Sequence, residues 1–215
     1  RVPGTNVTET MSAYEPLMAK FLKAFEDHFR EKGWLDKAYV YWFDEPQSKC
    51  YAFVNDGMAT MKRHAPGIRR LITNECTDEL DNVNLWNPRL DNFYAGEYKK
   101  YRARGDQFWW YICCGPHAPY PTEFIDHPGV DLRTWLWQTW DENVTGVLIW
   151  ETTWWTTPGL FRESPQNPYA DTMSWAADQK GGKLAWGNGD GRFLYPPRAC
   201  VATAPSPVRP VMEGP

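Results

Sequence analysis

The sequence has no run of lysine or arginine, and 23 basic against 27 acidic side chains leave it at a net charge of −4. Nucleic acid and anionic membrane are therefore poor partners, because both are held by concentrated positive charge. Long apolar runs are missing too. Phe108 to Cys114 and Gly146 to Trp150 are strand-sized, well below the roughly 20 residues of a bilayer-spanning helix. Cys50, Cys76, Cys113, Cys114 and Cys200 show no CxxC spacing, which argues against a zinc site or a dithiol redox centre and for mostly buried thiols. HExxH is absent, and His117, Asp126 and His127 lack a metal-ligand spacing, so a metal site is not expected. Arg1 opens no charged and apolar leader, and Val211 to Pro215 form no docking helix, so both ends read as cut.

What is present is apolar and aromatic: 42% of the 215 residues are hydrophobic and 16% aromatic, enough for one sizeable core. Leu17, Phe21, Phe25 and Phe29 recur every fourth position, as on one helix face, and Gly33 stops the helix. The aromatic run Ala38 to Phe43 reads as a strand closed by Asp44-Glu45-Pro46, since proline cannot donate to a central ladder. The alternation continues. Tyr51, Val54, Met58 and Met61 mark a helix before a strand at Arg70 to Thr73, and Val83 to Trp86 is a short third strand. Tyr94, Tyr98 and Tyr101 suggest a helix before the fourth strand, Gln107 to Cys113. Leu132, Trp135, Leu136, Thr139 and Trp140 mark another helix before the fifth, Gly146 to Trp150.

Strands alternating with helices imply a parallel sheet. All five strands are apolar on both parities, which suits an α/β barrel, with helices outside and packed layers inside. A complete barrel of this TIM type has eight strands in about 250 residues. The expected fold is therefore a partial (β/α)8 barrel, with residues 1–151 as its C-terminal portion and 152–215 as a long extension rich in Gly, Pro, Trp and Asn. An irregular segment of that length points to a functional loop.

In such barrels the active site lies past the C-terminal ends of the strands. Those positions hold Asp44 and Glu45, Asn74 and Glu75, Trp86 and Asn87, Cys114 to His117, and Glu151: carboxylates, amides and an indole. Trp86, Trp110, Tyr111, Trp150, Trp154 and Trp155 offer flat faces suited to stacking on a pyranose. Carboxylates with indoles point to a neutral carbohydrate. Cleaving a glycosidic bond needs an acid at the leaving oxygen and negative charge or a nucleophile near the anomeric carbon. Consecutive strand residues point to opposite faces, so Asp44 and Glu45 can share one pocket only if the ladder breaks beside Pro46.

The segments Tyr39 to Pro46, Phe108 to Tyr111, Trp135 to Trp140 and Gly187 to Pro196 resemble the catalytic domain of glycoside hydrolase family 123, which contains β-N-acetylgalactosaminidases. The resemblance implies substrate-assisted, retaining cleavage of terminal β-linked N-acetylhexosamine, with N-acetylgalactosamine as the expected sugar. In that mechanism the sugar's acetamido oxygen attacks its own anomeric carbon, Glu45 is the general acid/base and Asp44 holds the acetamido N–H. Asn188, Asp190 and Arg192, presented by glycines, would bind sugar hydroxyls together with Asn74, Trp86, Trp110, Tyr111, Trp150 and Glu151. No cofactor is implied, and the partner is a glycan. Measured against the family the chain lacks early barrel strands, an N-terminal β-sandwich and a C-terminal helix, and relatives are secreted or periplasmic. Two alternatives stand beside this reading: a two-carboxylate retaining glycosidase with Glu151 as nucleophile, and a glycan-binding relative that does not cut.

Overall fold

The computed structural model describes residues 7–155, 167–172 and 188–198. Residues 156–166, 173–187 and 199–215 of the expected extension, Gly187 and Cys200 among them, lie outside the described residues. Five strands alternate with helices: α1 (Val7–Glu31), β1 (Tyr39–Phe43), α2 (Tyr51–His64), β2 (Arg69–Ile72), β3 (Leu85–Trp86), α3 (Lys99–Ala103), β4 (Gln107–Ile112), α4 (Val130–Asp141) and β5 (Gly146–Ile149). The strands are parallel and lie in the order β1-β2-β3-β4-β5. Each strand neighbours the next in sequence, as in the staves of a barrel, and the fold is a partial α/β barrel of TIM type. Among the described residues no helix is long and apolar enough to cross a membrane.

The chain divides into two compact units, residues 1–88 with 92–109, and residues 89–91 with 110–215. In the first, α2 buries Val54, Met58 and Met61, spaced four and three apart so that they share one helix face. Leu71 and Ile72 of β2 are fully buried. Gly57 lets α2 approach the end of β1: a β-carbon there would stand 2.6 Å from Cζ of Phe43. Tyr98 stacks on Phe108 with ring centroids 5.3 Å apart, and Arg102 lies 4.7 Å over the Phe108 ring.

In the second unit the Trp110 indole donates to Thr139 Oγ of α4 at 3.0 Å. The segment after β5 is tied to the glycine-rich one. Thr153 and Arg192 form an antiparallel bridge, the Trp154 amide donates to the Gly191 carbonyl at 2.9 Å, and the Phe193 amide donates to the Thr152 carbonyl at 3.0 Å.

Four expectations need correction. The first helix starts at Val7 and carries Pro16 inside it, so the Leu17 to Phe29 stripe is only its second half. α3 is shorter than the tyrosine spacing suggests, because Tyr98 spends its hydroxyl on the Asn92 carbonyl and its ring on Phe108, outside the helix. β1 is not covered on both faces. Among the described residues it has β2 as its one neighbour in the sheet, and Tyr39, Tyr41 and Trp42 stay 40%, 38% and 40% exposed. Cys50, Cys76, Cys113 and Cys114 form no disulfide and are half-buried rather than buried.

Candidate active site

The ladder between β1 and β2 breaks, but inside β1 rather than beside Pro46 as expected. Tyr41 pairs with Leu71, but the next partners are Phe43 and Ile72, so β1 carries an extra residue there. Such a bulge bends the strand and re-aims the side chains beyond it. Two residues later Glu45 has φ of +39°, a region non-glycine residues seldom occupy. Both Asp44 and Glu45 are exposed, so a ligand can reach them.

Thr73, the residue after β2, holds this turn. Its Oγ accepts the Glu45 amide at 2.7 Å and donates to Asp44 Oδ1 at 2.8 Å. The Tyr41 hydroxyl donates a short hydrogen bond to the same Asp44 oxygen. Burial first, and then the hydrogen bond and charge of Asp44 with the charge of Glu45, push the Tyr41 phenol well above its ordinary range and keep it a donor. Asp44 is thus tied to Tyr41 and Thr73 through its carboxylate, and Glu45 to Thr73 through its backbone amide. Asp44 Oδ2 makes no hydrogen bond among the described residues.

Asn74 follows Thr73. Its amide donates to the Glu75 carbonyl at 2.8 Å and lies 3.0 Å from the Tyr51 hydroxyl. Glu75 in turn accepts a short hydrogen bond from Asn92. Trp86 offers no open face: it is fully buried, its indole donates to Asp106 at 2.7 Å, and its ring tilts against Tyr101. It belongs to the core of the first unit.

In the second unit Trp110 and Tyr111 are likewise buried. The half-buried Trp150 donates its indole N–H to Asp190 Oδ1 at 2.8 Å and tilts against Trp154. Arg192 is buried and donates to the carbonyls of Trp154 and Asp171, both at 2.7 Å. Asn188 donates to Asp126 at 2.9 Å and accepts a short hydrogen bond from Thr172. These residues hold the glycine-rich segment in place. Glu151 Oε1 accepts from the amides of Thr152 and Thr153 and from the Thr153 hydroxyl, each at 2.9 Å, and these donors lower its pKa.

Glu123 was not singled out by the sequence, where it sits in a proline-rich connection without period. It is 5% exposed, and burial, then the charge of Asp190, raises its pKa to about 9. Thr73 was also missed as a site residue, since its pattern reads only as the last position of a strand.

A parallel α/β sheet of barrel type with carboxylates placed just past a strand end defines the class, a TIM-type catalytic domain. The model of the family described as "Glycoside hydrolase 123, catalytic domain" matches residues 2–209, and the chain belongs to that family. Among solved structures, a family 123 glycoside hydrolase from Clostridium perfringens aligns with a TM-score of 0.57 and 19% identity, over 94% of this chain and 32% of its own. The chain thus spans about a third of that enzyme's length. No curated protein matches the chain.

Proposed function

We propose that this domain carries the acid/base machinery of a retaining, substrate-assisted glycosidase acting on terminal β-linked N-acetylhexosamine, with N-acetylgalactosamine as the preferred sugar. The observation that carries the reading is Asp44. Two donors occupy its Oδ1, while Oδ2 on an exposed side chain has no hydrogen bond among the described residues. An acetamido N–H supplies the missing donor.

In the first step the acetamido oxygen attacks the anomeric carbon, the bond to the leaving oxygen breaks, and Glu45 gives that oxygen its proton. Asp44 accepts the N–H as positive charge develops on the amide. In the second step Glu45 takes a proton from water, water attacks the anomeric carbon, and the oxazolinium ring opens with net retention. The nucleophile arrives already attached to the reacting centre, so its entropy cost is largely met before the reaction. Asn74, in the same unit as the pair, is the proposed sugar contact beyond it. The Clostridium perfringens relative is described as hydrolysing glycolipid glycans, and a glycolipid headgroup is the proposed source of the sugar here.

The test is an assay of the full-length protein on aryl β-glycosides with and without the 2-acetamido group. Release only from the 2-acetamido compounds, with inhibition by an oxazoline-mimicking thiazoline, is expected. Equal turnover of the 2-hydroxy compounds would remove the substrate-assisted mechanism, and glycan binding without release would make the domain a lectin-like relative.

A further inference from the structure

The two carboxylates are neighbours in sequence, yet what makes them act together comes from another strand. We infer that Thr73 is a positioning residue that locks Asp44 and Glu45 into their working arrangement and leaves Asp44 Oδ2 as the single acceptor for a ligand N–H. The inference rests on the substrate-assisted mechanism proposed for this pair.

An amide N–H can only donate and a carboxylate oxygen accepts, so the hydroxyl between them has one orientation. Thr73 Oγ takes the Glu45 N–H at 2.7 Å on a lone pair and spends its proton on Asp44 Oδ1 at 2.8 Å. One buried atom, on a residue only 4% exposed, thereby fixes the backbone of the acid/base and the rotamer of its partner. Thr73 sits behind the pair and acts through it.

The backbone needs such an anchor. Glu45 at φ of +39° is in a sparsely populated region that persists only when its surroundings hold it there. Without the Thr73 acceptor the residue relaxes toward extended backbone, where alternation carries the Glu45 side chain away from Asp44. Tyr41 completes the arrangement. Its hydroxyl donates to Asp44 Oδ1 and lies 3.2 Å from Thr73 Oγ, so Oδ1 is saturated and a ligand must use Oδ2. The site thus recognises a donor on the sugar's second carbon, which a 2-acetamido group provides in fixed direction and a rotating 2-hydroxyl does not.

The experiment compares Thr73→Val, Thr73→Ser and Tyr41→Phe with wild type in the full-length protein, on an aryl 2-acetamido-β-galactoside, alongside hydrogen exchange at the Glu45 amide. Thr73→Val keeps the volume and loses the hydroxyl. It is expected to lower kcat by about 100-fold with KM changed far less, the signature of misplaced reacting groups. Its Glu45 amide should exchange about tenfold faster or more, since its acceptor is gone. Thr73→Ser restores both. Tyr41→Phe, at a partly exposed position that tolerates change, lowers kcat on the 2-acetamido substrate while the Glu45 amide keeps its protection.

A Thr73→Val protein that is folded and whose kcat stays within about threefold of wild type overturns the inference, whatever the exchange shows. If Thr73→Val does not fold, a Thr73→Ser protein with unprotected Glu45 or a kcat like that of Glu45→Gln overturns it instead. If wild type fails to cleave the 2-acetamido substrate, the mechanism falls and exchange alone decides the positioning role: faster exchange in Thr73→Val sustains it and unchanged exchange ends it.

Discussion

Glu123 and Asp190 face each other inside the second unit, with Glu123 5% and Asp190 0% exposed, and the charge of Asp190 is second only to burial in raising the Glu123 pKa to about 9. Two carboxyls cannot both ionise cheaply in such a place, so one keeps its proton. Among the described residues neither Glu123 oxygen meets a partner in good hydrogen-bond geometry, and the charge of Asp190 outweighs its hydrogen bond in raising the Glu123 pKa. Asp190 takes the Trp150 indole and Glu123 takes the proton.

The sign of the resulting pH dependence is set by linkage. Above the ordinary glutamate range the unfolded chain has released the Glu123 proton while the folded one retains it, so the folded state binds more protons and loses stability as pH rises. The contribution is complete below about 4.5 and is lost up to about 9, the two values between which Glu123 titrates. Glu123→Gln, an uncharged isostere, is expected to unfold at a higher temperature than wild type at pH 8 and to show a flatter dependence of Tm on pH across that window. Parallel Tm curves for the two proteins would show that Glu123 titrates alike in the folded and unfolded states and is not shifted.

Removing the proposed acid is the direct test of the chemistry. Glu45→Gln is expected to lower kcat/KM by about 10²–10⁴ on substrates with poor leaving groups, the usual contribution of general acid/base catalysis. The loss should shrink as the leaving group becomes more acidic, because such a group departs without a proton. Steady-state kinetics over a series of aryl leaving groups measures this, and full turnover of an unactivated substrate by Glu45→Gln would sink the assignment.

Glu151 separates the two retaining mechanisms. Its Oε1 is engaged by three donors of the Thr152-Thr153 turn, a structural use that glutamine can largely reproduce with its own amide oxygen. Glu151→Gln is therefore expected to keep kcat within about tenfold of wild type. A covalent nucleophile has no such substitute, and trapping a glycosyl-enzyme on Glu151 by mass spectrometry would replace substrate assistance with the two-carboxylate scheme.

Gly191 has φ of +74°, and a β-carbon there would stand 2.7 Å from Cζ2 of Trp150. Gly191→Ala thus meets both a left-handed backbone cost of about 1–2 kcal/mol and overpacking of about 1–3 kcal/mol. The expected outcome is a clear drop in the denaturant midpoint with unchanged slope. A midpoint equal to wild type would mean that the glycine-rich segment does not pack on Trp150.

The elements were legible because their signals are local. The four-residue spacing of Leu17, Phe21, Phe25 and Phe29 falls inside α1, and the run Ala38 to Phe43 matches β1 except for its first residue. The tyrosines after β3 misled, since Tyr94, Tyr98 and Tyr101 share a helix-like spacing while Tyr98 serves the Phe108 cluster. Tryptophans misled for a related reason. Trp86 sits at a strand end where a sugar platform is expected, but an indole with an acid like Asp106 in reach packs as readily inward.

Side-chain periods of 2 and 3.6 along the chain were enough to determine the order of strands and helices, the parallel sheet and the placement of Asp44 and Glu45 just beyond β1. Only the tertiary structure decided that β1 bulges between Tyr41 and Phe43, that Thr73 joins the Asp44 carboxylate to the Glu45 amide from a strand end 28 residues on, and that Glu123 meets Asp190. Periodicity reports which face a residue takes on its own element. Which group stands opposite depends on register and loop path, and those are settled by packing between segments that the chain does not connect nearby.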